Sequence, residues 1–297
     1  MRAVPSLSIL LLAASPVLLA CRDDSDEPPL RLEVLSTSVP LTELAREAVQ
    51  AAPTWMATDL ALSLGALDAM LQDELGALVV DLDEPWLTDE VCFVLAHTSP
   101  EVLADEDFHP QLVVGHARLV YEHDVALDYV ELVDVGNPSK GGAYYTTAEY
   151  RVGVDGAVQT RRIDRDTYYW YVVHPRIEDV RPYYVDGYDP CGSSTLQCPS
   201  TPDRGEVWRD FLWSAQDATC PGGISPCPVL ADSLVGVDTL WEGEAMTRVD
   251  NGAIGALTQW IIDVMDYGAL DERSVQPSRL YGLHYGNCGE HADLTAA

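Results

Sequence analysis

Near the end of the chain, Gly286-Asn287-Cys288-Gly289-Glu290 joins a thiol to the pattern of a helix start. Asn is a favoured N-cap, and a Glu three positions later completes a capping box. That spacing places Cys288 in the first helical turn. Unpaired backbone N–H groups and the helix dipole there favour thiolate over thiol. Gly286 and Gly289 keep side chains away from the sulfur and leave room for a substrate backbone. A backbone N–H at such a start, with Gly289 the candidate, can help hold an oxyanion. Glu290 opposes the thiolate with its own charge, so a nucleophilic Cys288 needs a histidine partner to offset it.

Three blander roles compete for Cys288: an inert buried thiol, a disulfide to Cys92, and a metal ligand with His284 and His291. No fourth ligand is evident for the last, and flanking glycines suit a nucleophile better. Cys92 lies in the apolar helical stretch "DEVCFVLAH" and reads as a buried thiol. Cys191 and Cys198 are seven apart in a Pro/Gly/Ser-rich loop, and so are Cys220 and Cys227. Disulfides are expected, within or between the two loops. A four-cysteine zinc site normally shows tighter knuckles, so no metal and no cofactor is expected. The sequence carries no G-x-S-x-G, H-E-x-x-H, Walker loop or dinucleotide fingerprint.

The 297 residues carry a formal net charge of −31. Nucleic acid and anionic lipid heads repel such a chain, so nucleic-acid binding is set aside. The acidic residues lie among 47% hydrophobic residues, which indicates a folded acidic protein. Arg2 followed by the apolar run of residues 7–20 reads as an export signal, too short to span a bilayer comfortably. The run ends in "LLAC" and resembles a bacterial lipoprotein box, with cleavage leaving a lipid-modified Cys21. Residues 21–40 would then form an acidic tether, and the protein would sit in the bacterial cell envelope, facing periplasm or cell surface.

Residues 41–185 read as an α+β region: helices first, then an antiparallel sheet. Helices are expected over 41–52, 55–75, 87–97, 98–106 and 109–123. Strands are expected at "ALDYVELVDV", on both sides of Asp155-Gly156, and at "TYYWYVVHP". A Cys-containing linker covers 186–206. The remaining part, 207–297, turns helical again, with its clearest helix in "NGAIGALTQWIIDVMDYG". Ile254, Leu257, Ile261 and Val264 make its core stripe, Asn251 can cap it and Gly268 can end it.

"GNCGEHADLTAA", preceded by the helix "ALTQWIIDVMDYG" and a Pro-containing connection, resembles the transglutaminase-like superfamily over roughly residues 251–297. The resemblance implies a papain-like α+β core, with Cys288 as nucleophile heading a helix of small and apolar residues. It also implies a tryptophan on the preceding helix, here Trp260, as a substrate-side candidate. The activity implied is thiol-dependent acyl transfer on peptide or protein amides, to water or to an amine. The family's histidine and aspartate follow the cysteine helix, so the chain reads as a fragment that lacks its base. His97, His116 and His123 sit in or beside helices, and His109 and His174 precede prolines. His284 and His291 flank Cys288 but do not match where the family's base lies. The other expectation is a non-catalytic envelope protein that binds through its aromatic "TYYWYVVHP" segment.

Overall fold

In the computed structural model the described residues are 40–124, 126–154, 157–175, 183–184, 205–237, 240–241, 252–268 and 277–296. The leader, Cys21, the tether, Cys191 and Cys198 lie outside them. Val39–Ala297 form one unit. Its described part is α+β.

Helix α1 (Glu43–Ala51) starts where expected, with Thr42 accepting a hydrogen bond from the Ala45 N–H. The single helix expected over 55–75 is two, α2 (Ala57–Gly65) and α3 (Ala69–Val80). Asp68 breaks it, because its carboxylate takes the N–H groups of Met70 and Leu71 and starts a new helix. Helix α3 then lies close against α1. A Cβ on Gly76 would sit 2.6 Å from the backbone of Leu44, so only glycine fits. Helix α4 (Thr88–His97) is central, with every side chain from Thr88 to Leu95 buried. The short α5 (Pro100–Leu103) and then α6 (Gln111–Asp124) complete the helical layer.

Strands β1 (Val130–Val135), β2 (Tyr145–Val154) and β3 (Ala157–Arg162) form an antiparallel sheet in the order β1-β2-β3. The hairpin expected around Asp155-Gly156 is present, and the two turn residues lie outside the described set. The fourth expected strand, "TYYWYVVHP", is helical instead. It forms α7 (Arg165–Tyr168) and a π-helical turn, Tyr169–Val173. Asp164 caps this segment at the Thr167 N–H. Its aromatic residues are tied to α4 by hydroxyl hydrogen bonds rather than spread on a pleat. Tertiary contacts override the strand propensity of Tyr, Trp and Val here.

The segments on either side of 186–206 pack together. Helix α8 (Trp208–Ser214) sends Arg209 to the carbonyl of Val172 at 2.7 Å, and Trp213 stacks on His123 of α6 at 4.1 Å. Helix α9 (Leu230–Leu234) stops early, Gly236 takes a φ of 75°, and β4 (Leu240–Trp241) pairs in parallel with β2. Helix α10 (Ala253–Val264) is capped at Gly252, and Asn251 is outside the described residues. It ends four residues before Gly268, because the chain turns extended and β5 (Asp266–Tyr267) pairs with β6 (Tyr285–Gly286). Ala253, Trp260, Ile261 and Val264 face inward, while Ile254 is exposed. Helices α11 (Pro277–Leu283) and α12 (Cys288–Ala296) complete the described chain. No described helix is long and apolar enough to cross a membrane.

An adjacent pair of acids, Asp89 and Glu90, is fully buried on α4. The Tyr169 hydroxyl donates to Asp89 at 2.7 Å, and Thr146 reaches the same oxygen at 3.3 Å. Tyr168 donates to Glu90 Oε1 at 3.2 Å and Tyr121 at 3.4 Å, while Glu90 Oε2 has no hydrogen-bond partner. Asp134 approaches the same Tyr121 and Thr146 hydroxyls from β1. Burial raises the Asp89 carboxyl, and burial together with the neighbouring Asp89 raises Glu90 well above the usual carboxylate range. A raised carboxyl pKa in the folded state stabilises the fold below the unfolded value of about 4.3 and loses that contribution as pH rises. Glu90→Gln should therefore raise the unfolding free energy at pH 7–8 by about 1–3 kcal/mol and flatten its fall with rising pH. Urea denaturation of both proteins across pH checks this, and a less stable variant at neutral pH would contradict it.

Candidate functional site around Cys288

Helix α10 carries Trp260, which lies parallel to Tyr281 of α11 in an offset stack with ring centroids 5.9 Å apart and donates its indole N–H to the carbonyl of Pro228 at 3.0 Å. Both rings are buried. Trp260 is thus packed in the core. It also lines a cavity of about 360 Å³ with Trp213, Leu257, Arg209 and, from the cysteine helix, Leu294.

The start of α12 is built as its sequence signature specifies. Asn287 Oδ1 accepts from the Gly289 N–H at 2.8 Å, and Glu290 Oε2 accepts from the Asn287 N–H at 2.9 Å. Glu290 is completely buried, and Cys288 beside it is exposed. The cap works against oxyanion binding. The Gly289 N–H is already engaged by Asn287, which removes it as an oxyanion donor. Gly286 is needed for a reason other than substrate access: a Cβ there would lie 2.6 Å from the Glu290 Cβ. The bare backbone of Gly286 is what lets the capping carboxylate fold underneath.

His284 is held away from a catalytic role. Its Nδ1 lies 2.7 Å from the carbonyl of Val264, and its Nε2 lies 2.7 Å from Asp217 Oδ2. A carbonyl can only accept, so Nδ1 carries a proton. A second proton lies between Nε2 and the carboxylate. The residue takes a left-handed φ of 53°, rare for a non-glycine, to reach both partners. The Tyr281 hydroxyl accepts from the Asp217 N–H at 3.2 Å and closes this buried cluster. His291 stands on α12 with its ring 5.7 Å from Tyr267, and its Nε2 is buried without a hydrogen-bond partner. No described histidine hydrogen-bonds to Cys288.

Cys220 and Cys227 are joined as a disulfide within one loop, and their sulfurs and a ring nitrogen of His284 lie within 4.8 Å of one another. Cys92 and Cys288 are both free thiols, so they do not pair. Cys92 is sealed in the core, where burial and then the charges of Asp89 and Glu90 push its thiol pKa upward. The Asp217–His284 pair escaped the sequence reading because its members are 67 residues apart. Nothing local to "HYGN" or "QDATC" marks them as partners.

This geometry has two measurable consequences. Iodoacetamide should modify Cys288 in the native protein and leave Cys92 untouched until the protein is unfolded, as read by peptide mass mapping. Gly286→Ala should destabilise the fold by about 1–3 kcal/mol in urea denaturation, because the added methyl displaces Glu290. Equal labelling of both thiols, or a neutral Gly286→Ala, would contradict the packing described.

Comparison with known proteins returns no match to a family model, to a curated protein or to a solved structure.

Proposed function

We propose that this is an exported lipoprotein, anchored through Cys21, whose carboxy-terminal part is transglutaminase-like. Its chemistry would be thiol-dependent acyl transfer on peptide or protein amides. The single observation that carries this reading is an exposed cysteine at the first position of a capped helix. The sulfur meets solvent at the head of that helix. Attack on an amide carbonyl would form a thioester and expel an amine, and water or a second amine would then take the acyl group. A base must remove the thiol proton and protonate the leaving amine. His284 is engaged elsewhere, and no described histidine hydrogen-bonds to Cys288, so the protein described should leave amides intact.

An activated acyl donor needs no protonated leaving group and isolates the nucleophile from the base. A p-nitrophenyl ester should acylate Cys288 at least tenfold faster in the folded protein than in urea. That ratio corresponds to about 1.4 kcal/mol of transition-state stabilisation. Mass mapping of the adduct, with Cys288→Ala as control, reads the result. Equal rates in the two states would mark an ordinary surface thiol and overturn the proposal.

One observation favours the second reading, a binding protein. Within the helical "TYYWYVV" segment Tyr168, Tyr169 and Val173 are buried, but Trp170 and Tyr171 are exposed at 51% and 80%. Two adjacent exposed aromatic residues suit a contact face. Loss of ligand capture on Trp170→Ala, with Cys288→Ala silent, would support it.

A further inference from the structure

The cluster at His284 holds more than a structural disulfide requires. Asp217, Cys220, Cys227 and His284 are all buried. Two sulfurs and an imidazole nitrogen converge within 4.8 Å, and the Asp217 carboxylate touches the imidazole at 2.7 Å. We propose that Cys220, Cys227 and Nε2 of His284 form a zinc site when the disulfide is reduced, with Nε2 released from the Asp217 carboxylate to take the ion.

The donor set matches the ion. Zinc takes thiolate and imidazole ligands in tetrahedral array, at about 2.3 Å to sulfur and about 2.0–2.1 Å to nitrogen. The sulfurs need only part to about 3.8 Å, the edge of such a tetrahedron. The imidazole is anchored from behind: Nδ1 donates to the Val264 carbonyl, and Nε2 faces the Asp217 carboxylate, which must swing aside for an ion to bind there. A bond from the non-ligating nitrogen to a backbone carbonyl is the usual outer-shell support of a zinc-bound histidine.

The loop does not depend on the disulfide for its shape. The Cys220 N–H donates to the Ile224 carbonyl at 2.8 Å, and the Cys227 N–H donates to the Asp217 carbonyl at 2.9 Å. Ser225 Oγ donates to the Ala218 carbonyl at 2.8 Å, and Gln216 Nε2 to the Cys227 carbonyl at 3.1 Å. These bonds survive cleavage of the S–S bond and keep the two sulfurs near His284. Residues 222–226, between the cysteines, are exposed, so an ion reaches the site through the surface of the loop.

The balance is simple. A phosphine supplies two electrons to the cystine and leaves, with water, as its oxide, giving two thiols. On coordination each thiol releases its proton, and Nε2 gives up the proton it shares with Asp217. Oxidation of the two cysteines therefore excludes the ion.

The test uses the whole chain reduced with a phosphine, with Co²⁺ as the spectroscopic probe. The reduced protein should bind one equivalent and show a thiolate-to-cobalt charge-transfer band, and the oxidised protein should show none. Cys220→Ser should lose the band, His284→Gln should weaken binding about tenfold or more, and Cys288→Ser should change neither. A reduced protein without the band, or a band that survives Cys220→Ser, would overturn the proposal. Should His284→Gln fail to fold, Zn²⁺ should still protect Cys220 and Cys227, but not Cys288, from iodoacetamide in the unsubstituted chain. Equal alkylation with and without Zn²⁺ would equally overturn it.

Discussion

The carboxy-terminal part of this protein hangs on one buried imidazole. His284 joins the end of α10, through the Val264 carbonyl, to the disulfide loop, through Asp217. Its own carbonyl accepts from the Asp266 N–H at 2.9 Å and begins the β5–β6 pairing. Without that bridge, the six residues from His284 to Gly289 would have no fixed course, and α12 would have no fixed origin. A buried polar cluster of this kind is costly unless all its partners are present, which makes the geometry all-or-none.

Beyond His284 the course of the chain is determined by space. Gly286 leaves the room into which Glu290 folds, and Glu290 holds the Asn287 N–H. Cys288 then emerges at the surface at the head of α12. The thiol is exposed because the residues on each side of it are committed inward. The same arrangement explains why no histidine serves it: His284 faces the opposite way, and His291 turns its Nε2 into the protein. The amino-terminal region is organised differently, around α4, whose Asp89 and Glu90 collect hydroxyls from α6, β2 and the helical aromatic segment. There the polar groups are gathered for packing and leave an oxygen of Glu90 unpaired.

Features written in neighbouring residues were legible in the sequence. The Thr42 cap, the hairpin around Asp155-Gly156 and the Asn287–Glu290 capping box each rest on spacings of a few positions. The break at Asp68 was written locally too, but the apolar period through Leu67 and Leu71 masked it. The aromatic segment misled because its composition favours strands, while its conformation is decided by bonds to Asp89 and Glu90 some eighty residues earlier. A tryptophan near a cysteine and a glycine after it say nothing of what occupies their N–H groups, here the Pro228 carbonyl and Asn287 Oδ1. The Asp217–His284 contact has no sequence signature at all.

His284 is a locked structural bridge and not a mobile base. Nitrogen-resolved NMR of the imidazole tests it most directly. Two slowly exchanging ring protons should be seen, one on each nitrogen, with the signal at Nε2 lost in Asp217→Asn. A ring with one bare nitrogen, or with protons exchanging as in free imidazole, would contradict the account and return His284 to consideration as the partner of Cys288.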